Sequence, residues 1–243
     1  MAFRWIRFSR ISAVTTTRIT IIGLCQGDWL SAIYASLFSR DLKTLVLAGA
    51  PIDFQAGEKP EGMGIREWVN ITPYAFYWLL VASGGGLLNG QYLLTGFKVM
   101  NYYDRYFGDY LVLLKEIRNK QFLERYRPFH DWYEYTQNLA GAFYLQIVYE
   151  LFMKNLLIKG ELVILGRNVN LKNINCPVYL IAGSKDNITP PDQLFNICKY
   201  VRGDVRMEMA DSGHIGLFMG EKTLREIWEK KIFEQLKAHE GRV

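Results

Sequence analysis

The chain has 243 residues, half of them apolar and 22% charged, with a net charge of +5 and a pI near 9. That is room for one large domain or a core carrying an insertion, in an ordinary globular balance that excludes fibrous and disordered classes. The 29 lysines and arginines are dispersed rather than gathered in a block, which argues against nucleic-acid binding, while a mild positive field suits an anionic substrate.

Met1 to Gly27 holds four arginines, many Ser and Thr, and no acidic residue. The composition resembles an organelle transit peptide, but it lacks the continuous apolar core of a secretory signal. Arg18–Gly23 already reads as a strand, so the segment is taken as the remains of a longer upstream region. Ile19-Thr20-Ile21-Ile22 is a short β-rich run ending at Gly23, as expected of a buried parallel strand. Trp29–Phe38 has helical spacing, with Leu30, Ile33, Tyr34 and Leu37 on one face, and Thr44–Ala48 is a second apolar strand closed by Gly49-Ala50-Pro51. A βαβ unit is the natural reading.

From about Gln55 to Gly160 the alternation stops. This stretch is rich in aromatics, and helical patterns cover Ile71–Val81, Gln91–Met100, Asp109–Ile117 and Phe143–Ile158, with Phe122–Trp132 less clear. Loops carry Gly57, Pro60-Glu61-Gly62 and Gly84–Gly86. So much helix between two strands of one sheet predicts a cap. The apolar run Tyr74–Leu88 is too short and too interrupted by glycines to span a bilayer. Alternation returns with the strand Val178–Ala182, the helix Gln193–Val201, the strand Val205–Met209 and a C-terminal helix over Thr223–Ala238. The expected architecture is α/β, a mostly parallel sheet lacking its first strands, with an inserted helical cap. Its parts are a first core segment 1–54, a cap 55–160 and a second core segment 161–243.

Gly23-Leu24-Cys25-Gln26-Gly27 lies between the first strand and the first helix. A nucleophile between two small residues at a tight strand-to-helix turn is the pattern of a nucleophile elbow, with cysteine for serine. Two chain segments nearly touch there, so Gly23 and Gly27 are expected to be small for steric reasons. Such a nucleophile needs a base and an orienting acid. His214, in a glycine-flanked loop directly after the last strand, is the candidate base. His130 sits among aromatics and reads as an ordinary cap histidine, and His239 lies near an end that reads as disordered. Asp186 follows the strand Val178–Ala182 and is the candidate acid, with Asp53 as runner-up. The order Cys25, Asp186, His214 is nucleophile, acid, base. Cys176 and Cys198 read as small buried hydrophobes. Three cysteines without framework spacing point to a reducing, cytoplasmic setting. No Cys or His cluster suggests a metal, and no cofactor is expected.

Several segments resemble the polyhydroxyalkanoate synthases: Ile22–Gly27, Ala50–Phe54, Gly183–Pro190, Ser212–Gly216, and Asn155–Leu162 followed by Gly166–Leu171. In the cap, Leu94–Asn101 and Phe143–Gln146 also resemble intracellular polyhydroxyalkanoate depolymerases. The resemblance implies an α/β-hydrolase core and a Cys-His-Asp triad that polymerises (R)-3-hydroxyacyl-CoA. Cys25 would carry the acyl group as a thioester, His214 would move protons, Asp186 would orient the imidazole, and the Gln26 backbone N–H would donate to the oxyanion. The family usually has glycine where this chain has Asp28, a carboxylate expected either to crowd the elbow or to cap the helix. The alternatives are a depolymerase or thioesterase on the same triad, and a non-catalytic remnant or accessory protein that binds polymer granules. Expected partners are a hydroxyacyl-CoA or polyester substrate, a granule surface, and a partner subunit or second copy.

Overall fold

A computed structural model describes residues 18–57, 64–100 and 108–240. Most of the arginine-rich segment Met1–Gly27 and the Pro60-Glu61-Gly62 loop lie outside the described residues. Strand β1 (Ile19–Leu24) leads into helix α1 (Gln26–Leu37), which returns the chain to β2 (Leu42–Ala48). After a long helical segment come β3 (Val178–Gly183) and β4 (Val205–Ala210). The four strands form one wholly parallel sheet in the order β1-β2-β3-β4. This is the α/β-hydrolase fold.

The burial of each strand explains its composition. All six residues of β3 and six of the seven in β2 are buried, matching their continuous apolar runs. Val46, Ala48, Tyr179 and Ile181 face a cluster with Leu217, Ile227, Trp228 and Ile232 from the C-terminal region. The alternate residues Leu45, Leu47 and Leu180 are equally buried, so the central strands are covered on both faces. Among the described residues β1 and β4 are the edges, and there Ile22, Leu24, Met207 and Met209 are exposed. Helix α1 packs on β1 and β2.

The chain divides into two compact units, Met1–Lys59 with Lys154–Val243, and Pro60–Met153. The second unit therefore starts and stops inside the 55–160 span expected for a cap. It contains α2 (Ile65–Ile71), α3 (Tyr74–Ser83), α4 (Gly90–Met100), α5 (Asp109–Glu116), α6 (Lys120–Glu134) and α7 (Gly141–Gln146). Its own core joins Val69, Tyr77, Val81, Leu88, Tyr144 and Val148. An ion pair between Lys98 and Glu134, at 2.5 Å, links α4 to α6.

Three predicted helices are broken. The helix expected over Ile71–Val81 is interrupted at Thr72-Pro73, because proline forces the residue before it out of helical backbone. The stretch Phe143–Ile158 turns at Asn155, which adopts φ 54°, and its amide accepts from the Phe54 N–H and donates to Asp53. Asparagine tolerates that left-handed backbone better than most residues. Gln193–Val201 is a short helix, α8 (Pro191–Phe195), followed by a tighter turn over Asn196–Lys199. In contrast, the unclear Phe122–Trp132 lies within one helix, α6, despite Pro128. Among the described residues no helix is long and apolar enough to cross a membrane.

Candidate active site

The parallel register brings the candidate residues together. Leu24 pairs with Ala48, Ala48 with Ile181, and Gly183 with Ala210, so the carboxyl ends of all four strands lie level. Cys25 comes directly after β1, Asp186 three residues after β3, and His214 four residues after β4. Sites in open α/β sheets form at this edge because loops from different strands converge there.

Cys25 is the residue before α1 and has φ 53° and ψ −115°. That backbone is sparsely populated for a residue with a Cβ and costs about 1–3 kcal/mol unless its surroundings hold it. Its N–H donates to Ala48 O at 3.0 Å, and its carbonyl accepts from the Asp28 N–H at 3.0 Å. The steric expectation for the flanking glycines holds at one of them. A Cβ at Gly23 would lie 2.6 Å from the Asp28 Cα, whereas one at Gly27 would meet nothing within 4 Å. Gln26 opens α1, so its N–H is among those without a partner inside the helix, next to the thiol.

His214 stands in the turn after β4, with its side chain 10% exposed. Its Nδ1 donates to Asp186 Oδ2 at 2.7 Å, and the Cys25 side chain lies near enough to the ring to help raise its pKa. With Nδ1 taken by the carboxylate, Nε2 is the nitrogen left for the thiol. Asp186 is held from its other oxygen: Oδ1 accepts from the backbone N–H groups of Ile188 at 2.9 Å and Thr189 at 2.8 Å. Burial alone would lower the His214 imidazole, but its interactions with Asp186 and Cys25 outweigh this and it is pushed up to about 10. The structure thus brings Cys25, Asp186 and His214 together at the carboxyl ends of the strands, with His214 bonded to Asp186.

Asp53 is not part of this chain of contacts. Its Oδ1 accepts from Asn155 and its Oδ2 from Asn196, so its carboxylate stitches the 51–57 loop to later segments. His130 is half-exposed beside Asp131 with its ring tilted against that of Tyr126, and His239 falls in a final helix, Glu234–Glu240, rather than a disordered end. Cys176 is buried as expected, but Cys198 is exposed, because Ile197 takes the inward position of its turn. Asp28 does not cap α1; its Oδ1 accepts from the Ala48 N–H at 2.9 Å. Among the described residues no group of three or more His, Cys, Asp or Glu is placed to hold a metal ion.

Sequence reasoning passed over two supporting positions. Gly49 has φ 67°, and a Cβ there would come 3.3 Å from the His214 ring, so a bare backbone lets β2 end against the imidazole. The Gly49-Ala50-Pro51 punctuation was the available signal. Trp228 is the other: its indole N–H donates to Leu217 O at 2.8 Å, tying the C-terminal helix to the short helix Gly216–Met219 behind His214. Nothing local in the sequence marks that bond.

Two groups at the site bear on the pH dependence of stability. The unfolded His214 imidazole titrates near 6.5 and the folded one near 10. Its contribution is therefore complete below the lower value and is lost as pH rises through the upper one. Asp28, raised mainly by burial, acts in the same direction from lower pH, since its unfolded form ionises near 3.8 while the folded form keeps the proton. Denaturant titrations are expected to show stability falling steadily between the two His214 values, by up to about 1.4 kcal/mol per pH unit for each proton involved. A flat profile across that window would contradict the linkage.

The family described as "Protein of unknown function (DUF3141)" matches residues 7–226. The chain is 26% identical over 212 residues to a poly(3-hydroxyalkanoate) polymerase subunit PhaC of Haloferax mediterranei, covering 86% of this chain and 42% of that one. It is 29% identical over 218 residues to the PhaC subunit of Thiocystis violacea, covering 86% of this chain and 57% of the relative. The chain thus spans about half the length of these relatives. Among solved structures, a monoacylglycerol lipase of Paleococcus ferrophilus superposes with a TM-score of 0.50 at 17% identity, over 91% of this chain and 69% of the lipase, which shows the fold.

Proposed function

This chain belongs to the DUF3141 family, and we propose that within it Cys25, His214 and Asp186 act as a nucleophile–base–acid triad of a polyhydroxyalkanoate synthase-like acyltransferase. The observation that carries the reading is the strained Cys25 beside His214, whose Nδ1 is in turn held by Asp186. Strain of this kind is kept where it aims a nucleophile. The similarity to PhaC subunits supports a hydroxyacyl-CoA as the acyl donor.

In the first half-reaction the thiol proton lies on His214 Nε2, in keeping with the raised imidazole, and the Cys25 thiolate attacks the thioester carbonyl. The Gln26 N–H steadies the oxyanion, reinforced by the positive end of the twelve-residue α1. The intermediate collapses, the coenzyme A sulfur leaves with the proton held by His214, and the acyl group stays on Cys25. In the second half-reaction His214 deprotonates an incoming hydroxyl, which attacks the acyl-cysteine; the ester forms and the Cys25 thiol is restored. Asp186 keeps the proton-bearing Nδ1 turned away from the thiol throughout. The three unpaired cysteines suit a reducing, cytoplasmic setting for such chemistry.

The test is coenzyme A release from 3-hydroxybutyryl-CoA by the purified chain, with acyl-cysteine at residue 25 read by mass spectrometry. Cys25→Ala is expected to remove both signals, a loss of at least about 10⁴-fold. Release with soluble acid and no chain growth would turn the reading toward a hydrolase. No release, alone or with a co-purifying partner subunit, would sink it.

A further inference from the structure

Asp28 is a buried carboxylate that the proposed chemistry does not use. It lies three residues beyond Cys25 and is 0% exposed. Its Oδ1 accepts from the Ala48 N–H, Ala48 O accepts from the Cys25 N–H, and Cys25 O accepts from the Asp28 N–H. These three bonds close a ring through the strained residue: elbow to β2, β2 to Asp28, Asp28 back to the elbow. Removing the Asp28 side chain opens that ring and leaves the Ala48 N–H buried without an acceptor. The remaining oxygen, Oδ2, is sealed from solvent and has no hydrogen-bond partner.

The titratable groups that face Asp28 are Cys25 on the elbow and His214 on the loop after β4. Neither pairs with Oδ2. A carboxylate closed off from water with one oxygen left unpaired is costly, and such a group keeps its proton instead. Burial accordingly raises Asp28 well above the carboxylate range. The neutral form has a consequence at the thiol. A second negative charge beside Cys25 would oppose thiolate formation, whereas a neutral acid gives the same hydrogen bond without that charge.

We propose that Asp28, buried beneath the elbow, is the positioning residue that holds Cys25 in its reactive backbone conformation. The inference rests on reading Cys25 as the reactive thiol, and deepens it. The shape of the elbow agrees: the Asp28 Cα and Oδ1 lie where a Cβ on Gly23 would be, so the glycine and the acid require each other.

The experiment is iodoacetamide alkylation of Cys25 across the pH range, read on the peptide bearing residue 25 so that the exposed Cys198 does not interfere, with thermal midpoints measured alongside. Asp28→Ala is expected to slow alkylation of the folded protein by about tenfold or more, as displacement of an aligned group does. Asp28→Asn keeps the acceptor for Ala48 and is expected to rescue the wild-type rate and pH profile. It also raises the midpoint at neutral pH by about 3 °C or more, since the unfolded chain no longer gains from ionising that residue. A wild-type rate in Asp28→Ala, even with a lowered midpoint, means a purely structural residue and overturns the proposal. Faster alkylation in Asp28→Asn, with the profile displaced to lower pH, means that Asp28 acts on Cys25 through its charge and overturns it too; this arm decides should Asp28→Ala not fold. His214→Ala separates the two readings, because an unchanged rate there refutes activation of Cys25 itself.

Discussion

Asp186→Asn is expected to slow acyl transfer to Cys25 by about 10⁴-fold while leaving the protein folded, the size of effect seen when an orienting acid loses its charge elsewhere. The two oxygens of Asp186 have divided duties, one accepting from the Ile188 and Thr189 N–H groups and the other from His214 Nδ1. An asparagine that keeps its oxygen on the backbone donors turns its NH₂ toward Nδ1. The imidazole must then accept at Nδ1 and carry its proton on Nε2, where it cannot take the thiol proton. The lost carboxylate also removes the main support of the His214 imidazolium, so the ring returns toward its ordinary range. Coenzyme A release as a function of pH reads both consequences. A loss smaller than about tenfold would mean that Asp186 does not orient the base.

Gly23→Ala should cost both stability and chemistry. The added Cβ would meet Asp28 Cα and Oδ1 at 2.6 Å and Gly27 O at 2.8 Å. Two of those atoms are backbone, so no rotamer change relieves the clash and the elbow must open. Overpacking of this kind costs typically about 1–3 kcal/mol. A shift of about 1 Å at Cys25 would cost a further ~10² in rate. Gly27→Ala is the matched control: open space surrounds that position inside α1, and alanine is favoured over glycine in a helix by up to about 1 kcal/mol. Denaturant midpoints of the two variants should therefore move in opposite directions, and only Gly23→Ala should slow single-turnover acylation. Equal behaviour would refute the steric account of the elbow.

The contrast between these two glycines shows how far the linear pattern carried. A pentapeptide with small residues on each side of Cys25 identified the turn, because strand, turn and helix succeed one another within a few residues. It gave no means of telling which glycine the neighbours crowd. That depends on the side chain of Asp28 folding back under the turn toward β2. The same holds for Asp53 and Asp186. Both follow a parallel strand in a turn-forming segment, and only the positions of Asn155 and Asn196, about 100 residues or more away in sequence, show that Asp53 is already engaged. The helix breaks divide in the same way. The one at Thr72-Pro73 has a local cause and was open to prediction. The one at Asn155 is secured by a distant loop.

By itself the sequence determined the parallel α/β core, the turn bearing Cys25, and the candidacy of Asp186 and His214. Each of these depends on short-range periodicity, or on a residue's place just beyond a strand. Only the tertiary structure decided that the strand ends lie level, that His214 Nδ1 meets Asp186 while its ring reaches Cys25, and that Asp28 closes a ring of hydrogen bonds around the elbow. The physical reason is range. Backbone preference and side-chain alternation act over a few residues and leave a mark in the chain. A hydrogen bond between residues 28 and 48, or 186 and 214, depends on sheet register and packing, which no local stretch of sequence encodes.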